Sequence, residues 1–271
     1  MTSDLVKSWR FKYKDLSGYI SGGHEHGVEL TAGVDGVPVT RAMCLNLEHY
    51  YAMSRSVGFF VPRYKAAVKS QCLGSRAVRI VIEPFEEWQI RSALTFILLP
   101  DRIIEVCYEF SFDADYNGFQ ALISNYFHRS TEPYLHLSGQ WVQPKLSDRE
   151  HRFWVSGAVE AANIARLYDI SGFSSKEARE IEHYIDSQYY DYPVMVTPIA
   201  GSSWAVVNIV QPTMCASLSA NRRWKAHDFS LVGRDVARGE TVECRAWLAY
   251  VRLESLDEAL SLYDRLISRD R

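Results

Sequence analysis

Short runs of β-branched and aromatic residues, separated by Gly, Pro and Asp, recur along most of the chain. Such runs are typical of β-strands, and aromatic residues make up 13% of the sequence. Ten segments have this pattern: Gly27–Ala32, Val37–Leu45, Ala77–Pro84, Glu87–Leu99, Ile103–Phe112, Ala121–His128, Tyr192–Pro198, Ser203–Val210, His227–Val236 and Thr241–Arg252. The pattern predicts a mostly β fold, an antiparallel two-sheet sandwich or supersandwich with two or three accessory helices.

Turn residues between these segments predict antiparallel neighbours. Pro100 and Asp101 lie between two long apolar runs, and an Arg-Gly step lies within Ala237–Glu240, so each point predicts a hairpin. The glycine-rich motifs that hold nucleotide phosphates, GxGxxG and GxxxxGK[ST], do not occur. The sequence therefore argues against a nucleotide-binding parallel sheet.

Two capping-box patterns predict helices. Ser174 precedes Glu177, and Ser255 precedes Glu258, each ahead of an amphipathic run. We expect a helical insertion at about 158–189, which is either a lid or a solvated crossover, and a C-terminal helix at about 255–269. The apolar stripe expected for the C-terminal helix is Leu256, Leu260, Tyr263 and Ile267. With no repeat and no linker, residues 1–271 are expected to form a single β-sandwich domain.

Composition limits the partners and the compartment. The chain has 30 Lys and Arg against 33 Asp and Glu, a net charge of −3, so nucleic acid is not an expected partner. Its apolar runs are shorter than the roughly 20 residues that span a bilayer, and the first residues lack a secretory pattern. We therefore expect a cytoplasmic protein without membrane contact. The five dispersed Cys are expected to be reduced thiols. Formation of a homo-oligomer is left as an open alternative.

Two segments in the first part of the chain could carry chemistry. His24 and His26 are spaced so that both could face one side of a strand and hold a divalent metal ion, although two ligands are not a complete site and a plain turn fits equally. Glu48 and His49 belong to a polar and aromatic cluster at 46–51 that suits a sugar face or a loop anchor.

Two later segments supply further candidates. His128 and Glu132 could form an acid/base pair, or simply hydrogen-bond a strand edge. Arg222, Arg223 and Trp224 combine donors with a stacking surface, as recognition of a carboxylate-bearing sugar would need. The neighbouring His227 and Asp228 should point to opposite faces of a strand, which argues against a dyad. Trp88 and Trp141 are further candidates for stacking on a sugar.

Two short motifs resemble the galactose mutarotase-like β-supersandwich superfamily, which includes the aldose 1-epimerases. Asn125, Tyr126, Phe127 and His128 are similar to the Asn-His-x-Tyr-Phe-Asn stretch of those epimerases, and Arg238–Thr241 is similar to their Pro-Gly-Glu-Thr turn. The epimerase His precedes the Tyr-Phe pair, whereas His128 follows it. The segment 210–224 has no Glu or Asp where those enzymes carry a general base. The resemblance implies a sugar ligand bound on a concave face of the sandwich.

Together these features predict a carbohydrate-active protein. The first hypothesis is an enzyme for epimerisation or β-elimination, with catalytic candidates His128, His227, His49 and Glu132. Its substrate-binding candidates are Arg222, Arg223, Trp224, Trp88, Trp141, Asn125, Tyr126 and Glu48. The alternatives are a noncatalytic glycan-binding protein on the same scaffold and a structural or assembly protein.

Overall fold

The computed structural model describes residues 8–13, 15–23, 25–52, 66–86, 88–128, 132–145, 152–156, 182–222 and 225–269. Within these ranges the chain forms seventeen β-strands and one α-helix. The strands are β1 (Ser8–Tyr13), β2 (Leu16–Ser21), β3 (Gly27–Ala32), β4 (Asn46–Tyr51), β5 (Val68–Cys72), β6 (Ala77–Ile82), β7 (Ile90–Leu99), β8 (Ile103–Phe112), β9 (Tyr116–Ser124), β10 (Tyr134–Leu137), β11 (Gln140–Val142), β12 (Arg152–Ser156), β13 (Glu182–Pro198), β14 (Trp204–Val210), β15 (Cys215–Asn221), β16 (Ala226–Val236) and β17 (Thr241–Arg252). The helix α1 covers Asp257–Ser268.

The strands form two sheets. Strands β1, β2 and β3 make a small sheet, and the other fourteen make one sheet whose main order is β4-β9-β16-β15-β12-β13-β14-β17-β8-β7-β6-β5, with the β10–β11 hairpin attached to β13. The pairing is antiparallel except between β12 and β13, which run parallel. This confirms the predicted antiparallel, mostly β architecture.

The large sheet folds over its own core, so that two halves face each other. We call β4, β9, β16, β15 and β12 the front layer, and β13, β14, β17, β8, β7, β6 and β5 the back layer. The hydroxyl groups of Tyr50 in β4 and Ser92 in β7 form a hydrogen bond, with 2.5 Å between their oxygens. Phe119 of β9 packs edge-on against Phe110 of β8, with 5.9 Å between ring centroids. These contacts join the layers into the predicted sandwich.

The sequence pattern of β8 explains how the core forms. Val106, Tyr108 and Phe110 occupy alternate positions and are buried, whereas Glu105 and Glu109 between them are half-buried on the other face. Burying one such apolar side chain stabilises the fold by about 1.5–3 kcal/mol. The same alternation occurs in β6, so the back layer is held by its inward-facing residues.

Helix α1 packs on the outer face of the back layer. Its buried residues are Ala259, Leu262, Tyr263 and Leu266, which join a second apolar cluster with Trp247 and Ala249 of β17. The predicted stripe is confirmed in part, because Tyr263 is buried and Leu256 and Ile267 are half-buried against this cluster, whereas the half-buried Leu260 is not one of the buried positions. Ala259 lies fully buried, and its small side chain lets the helix approach the sheet closely.

Two local predictions need correction. The turn at 237–240 exists, but β16 and β17 do not form a hairpin, since β16 pairs with β9 and β15 whereas β17 pairs with β8 and β14. A turn sequence does not specify which strand the chain meets next. The segment 37–45 makes isolated bridges at Thr40 and Cys44 rather than a strand. In contrast, the predicted hairpin between β7 and β8 is confirmed.

The predicted helical insertion lies outside the described residues from 158 to 181. Its last part, 182–189, is strand, because β13 begins at Glu182 and pairs with β12 there. Pairing with a neighbouring strand outweighs a charged, helix-like sequence pattern. The predicted helix start at Ser174 also falls outside the described residues.

Two further predictions can be compared with the fold. All five Cys are free thiols, three of them buried and two half-buried. Of the helices within the described residues, none has the length and apolarity required to cross a membrane.

Candidate functional site

The front layer has a second face that is buried and polar, on the side away from the core. On β16, Phe229 packs in the core while Asp228 and Ser230 point the other way. Their cross-strand partners on β15 are Ser219 and Ser217. All four polar residues are at most 2% exposed. We call this surface the front polar face.

Polar side chains on this face are under-satisfied. The hydroxyl oxygens of Ser217 and Ser219 have no hydrogen-bond partner within the described part of the chain. Burying a hydroxyl group without a partner costs free energy, so such groups in a native protein call for an explanation. Convergent hydroxyl and carboxyl groups on a buried face are suited to binding a polar ligand.

A bulge in β4 brings acidic and basic side chains to the same face. Leu47 pairs with Ile123 and His49 pairs with Leu122, so Glu48 is an extra residue in β4. A bulge of this kind redirects a side chain and is common beside active sites. Leu47 is in the core, whereas Glu48 and His49 are buried polar residues.

Glu48 is held by a tyrosine and lies near a second carboxylate. The Tyr126 hydroxyl donates to Glu48, with Oη at 2.6 Å from Oε1 and 2.8 Å from Oε2. Burial, and then the negative charges of Glu48 and Asp228, raise the pKa of Tyr126 far above its ordinary value. Tyr126 is therefore a neutral donor at any physiological pH. A buried carboxylate held by a neutral tyrosine hydroxyl, on which the charge of Asp228 also acts, is suited to acid/base chemistry.

Asn125 fixes the backbone that presents Tyr126. Its side-chain oxygen accepts from the Leu45 backbone N–H over 2.9 Å, and its amide nitrogen donates to the His227 carbonyl over 2.7 Å. Asn125 thus links the chain entering β4 to β16, and it is fully buried. The sequence predicts a substrate-binding role for Asn125, whereas in the structure both ends of its amide are hydrogen-bonded to the backbone. Its observed role is to position Tyr126.

His227 lies in the core and does not share the front polar face. Its Nδ1 is 2.7 Å from the Thr197 hydroxyl of β13, and its ring centroid is 5.0 Å from that of Phe127. Burial lowers the pKa of His227 to about 3. The imidazole is therefore neutral at physiological pH. Asp228 faces the opposite side, as strand alternation predicts, so the two do not form a dyad.

The structure does not pair His128 with Glu132, although the sequence predicts this pair. His128 is exposed, and its backbone carbonyl accepts from Lys225 over 3.4 Å. Glu132 instead forms an ion pair with Arg222, with 3.6 Å between Oε1 and Nε, and both side chains are partly exposed. The predicted substrate-binding residues Arg223 and Trp224 lie outside the described residues.

Neither described Trp candidate reaches the front polar face. Trp88 is fully buried in the core and stacks on Tyr116, with 5.6 Å between centroids and 8° between planes. Trp141 is on the β10–β11 hairpin, and its Nε1 donates to Asp257 at the start of α1 over 2.9 Å. Both positions are explained by packing.

The predicted metal pair is only half described, since His24 lies outside the described residues. His26 is fully buried, and its Nε2 is 3.0 Å from the Leu47 carbonyl. Because a carbonyl only accepts, Nε2 carries the proton there. No three His, Cys, Asp or Glu side chains in the described ranges are grouped as a metal site would require. The divalent metal ion stays a prediction.

Ser219 and Asp228 belong to the polar segment at 219–228, in which the sequence predicts sugar binding by Arg222, Arg223 and Trp224. A signal was present in β15, where Ser217, Ser219 and Asn221 alternate with Ala216, Leu218 and Ala220. Alternating polar residues are normally read as a solvent-facing edge of a strand. Only the structure shows that this polar face is buried and that Asp228 lies near Tyr126.

The fold has known relatives in structure but not in sequence. No family model matches the chain, and no curated protein sequence matches it. A candidate aldose 1-epimerase from Escherichia coli K12 is similar in structure, with a TM-score of 0.56 and 10% identity over 91% of this chain and 99% of that chain. A galactose mutarotase-like protein from Lactobacillus casei ATCC 334 has a TM-score of 0.51 and 9% identity over 90% of this chain and 100% of that chain. The predicted resemblance to the galactose mutarotase-like fold is confirmed.

Proposed function

We propose that this protein is a carbohydrate-active enzyme that performs acid/base chemistry on a sugar, of the epimerase or mutarotase type. The observation that carries the proposal is the Glu48–Tyr126–Asp228 arrangement on the front polar face. The two structurally similar proteins are described as a candidate aldose 1-epimerase and a galactose mutarotase-like protein, which supports the substrate class. A likeness in fold does not choose a reaction, so the residues must carry that argument.

Each residue has a distinct part in the proposed reaction. Glu48 accepts the proton of the anomeric hydroxyl as general base, and Tyr126 holds its carboxylate in place. A proton delivered to the ring oxygen completes ring opening, and His49 is the candidate donor because the bulge places it beside Glu48. Reclosure on the opposite face of the carbonyl gives the other anomer. Asp228 and Ser219 bind sugar hydroxyls.

The test measures anomer interconversion by polarimetry or exchange NMR with glucose and galactose. We expect Glu48→Gln to lower the rate at least 100-fold, in the range that general base catalysis contributes. Glu132→Gln is the matched control, since that carboxylate forms a surface ion pair. A folded Glu48→Gln protein with the wild-type rate would refute the role of Glu48.

A noncatalytic glycan-binding protein is the second candidate. One observation favours it: Tyr126 already contacts both oxygens of Glu48, as in a site built to hold hydroxyl groups rather than transfer protons. Under this alternative, the wild-type protein binds a sugar in calorimetry without interconverting its anomers. Glu48→Gln would then weaken binding alone.

A further inference from the structure

A cavity lies beside β1, the edge strand of the small sheet. Its volume is about 420 Å³, within the size of cavities that hold small ligands. One wall is Trp9–Tyr13 of β1, and the other includes Ser75, Arg76 and Leu98–Pro100 from the turns after β5 and β7. We call this cavity the β1 groove. None of its lining residues belongs to the front polar face.

Aromatic rings supply one part of its lining. Trp9, Phe11 and Tyr13 occupy alternate positions of β1 and therefore share a face. Their ring centroids are 6.4 Å and 6.2 Å apart in sequence order. The Tyr13 hydroxyl donates to the Leu99 carbonyl, which fixes its ring against the opposite wall. Trp9 and Tyr13 are half-buried, so part of each ring can be reached by a ligand.

Positive charge supplies the other part. Arg76 is exposed and lines the β1 groove on the wall opposite the rings, whereas the exposed Arg10 and Lys12 alternate with the rings in β1 and extend from its other face. Among the residues that the structure describes, none of these three forms an ion pair. Asp101 follows Pro100 at the rim of the groove. The pKa of Tyr13 is raised, mainly by burial; the charge of Arg76 lowers this pKa and the charge of Asp101 raises it. The groove thus has one cation, Arg76, whose charge acts on Tyr13 together with that of the Asp101 carboxylate.

We propose that the β1 groove binds an anionic saccharide, meaning a sugar unit that carries a carboxylate or sulfate group. Aromatic rings stack on the C–H faces of sugar rings, and guanidinium groups form charge-assisted hydrogen bonds with carboxylate or sulfate oxygens. The sequence predicts the same combination at Arg222 and Trp224, and Trp224 lies outside the described residues. The site is separate from the proposed catalytic face, so it does not depend on the proposed function.

The test is titration calorimetry of the full chain with digalacturonate, a sulfated heparin disaccharide and neutral digalactose at low salt. We expect one or both anionic probes to bind and the neutral probe to bind at least fivefold more weakly. Arg76→Gln should weaken anion binding by about fivefold to tenfold, as expected for loss of one charge-assisted hydrogen bond. Both anionic probes carry a carboxylate, so binding of the heparin disaccharide alone identifies sulfate as the recognised group, and binding of digalacturonate identifies carboxylate.

Asp101→Asn is the matched variant with the opposite expected sign. Asp101 has a φ of 63°, a conformation that Asn tolerates well, so the turn should be preserved. Removing this negative charge should tighten anion binding. Equal binding of neutral and anionic probes, no binding of either anion, or no effect of Arg76→Gln would overturn the proposal. Glu48→Gln should leave the binding unchanged, which separates failure of this site from failure of the catalytic face.

Discussion

Acid should destabilise the folded protein through His227, and His227→Gln should remove that part of the effect. His227 is 2% exposed, and burial lowers its pKa to about 3 from an ordinary value of 6.5. In the unfolded chain the same imidazole titrates near its ordinary value. Between these two values the unfolded chain therefore binds one more proton than the folded chain.

The size of the effect follows from proton linkage. A pKa that is lower in the folded state gives stability that is fully present above the unfolded value and is lost as the pH falls toward 3. At pH 5, about 1.5 pH units below the ordinary pKa, the loss is about 2 kcal/mol, since one unit corresponds to about 1.4 kcal/mol. Because this figure requires only a folded pKa well below 5, it does not depend on the exact value.

The assay is urea unfolding of wild type and His227→Gln at pH 7.5 and pH 5.0. The wild-type advantage over the variant should shrink by about 2 kcal/mol on acidification. His128→Gln is the control, because His128 is exposed and should show no comparable change. A difference between wild type and His227→Gln that stays constant from pH 7.5 to 5.0 would show that the folded imidazole is readily protonated. The assignment of His227 to the core would then fail.

Three further changes test the front polar face and its surroundings by thermal unfolding. Tyr126→Phe removes the hydroxyl that donates to Glu48 and should cost about 1.5–3 kcal/mol. Gly27→Ala should be destabilising by more than about 1 kcal/mol, because Gly27 has a φ of +129° and a Cβ there would lie 2.7 Å from the Cys44 carbonyl oxygen. Ser219→Ala removes a buried hydroxyl without a partner in the described residues and should leave stability unchanged or raise it by up to about 1 kcal/mol.

Matched controls separate these effects from nonspecific ones. Tyr19→Phe removes a similar hydroxyl, which donates to Glu29 over 2.7 Å on the small sheet, and should cost less because that pair is half-buried. Gly23→Ala meets nothing within 4 Å and should be tolerated. Equal losses of stability for Tyr126→Phe and Tyr19→Phe would argue against a buried Tyr126–Glu48 hydrogen bond. A large loss from Ser219→Ala would show that its hydroxyl has a structural partner.

Most strands could be predicted from the sequence because their side chains alternate between core and surface. The predicted bounds of β3, β8 and β17 match the structure residue for residue. The predicted segments do not include β1, β2, β4, β5, β10, β11, β12 or β15. Strand β5 mixes half-buried and exposed residues, and β15 alternates small apolar with polar ones. Pairing with the adjacent strands β2 and β6 stabilises β1 and β5, and pairing with β12 and β16 stabilises β15.

The candidate site was predicted only in part, for a related reason. Glu48, His49 and Tyr126 were recognised as polar residues at a strand and its end, but their mutual positions depend on the bulge in β4 and on Asn125. The sequence-based choice of His128, His227 and His49 as catalytic candidates depends on residue type and not on burial. Burial decides which imidazoles can titrate, and it places His227 in the core.

The front layer is buried on both of its faces, and this is the strongest physical argument that its polar face has a function. A strand buried on both faces is normally apolar throughout, because each buried polar group must find a partner. Strands β15 and β16 instead keep Ser217, Ser219, Asp228 and Ser230 at positions where apolar side chains would pack without that cost. Local departures from the most stable choice concentrate at functional sites. The position of Glu48 on the same face of the front layer makes ligand binding or catalysis the simplest reason for keeping them.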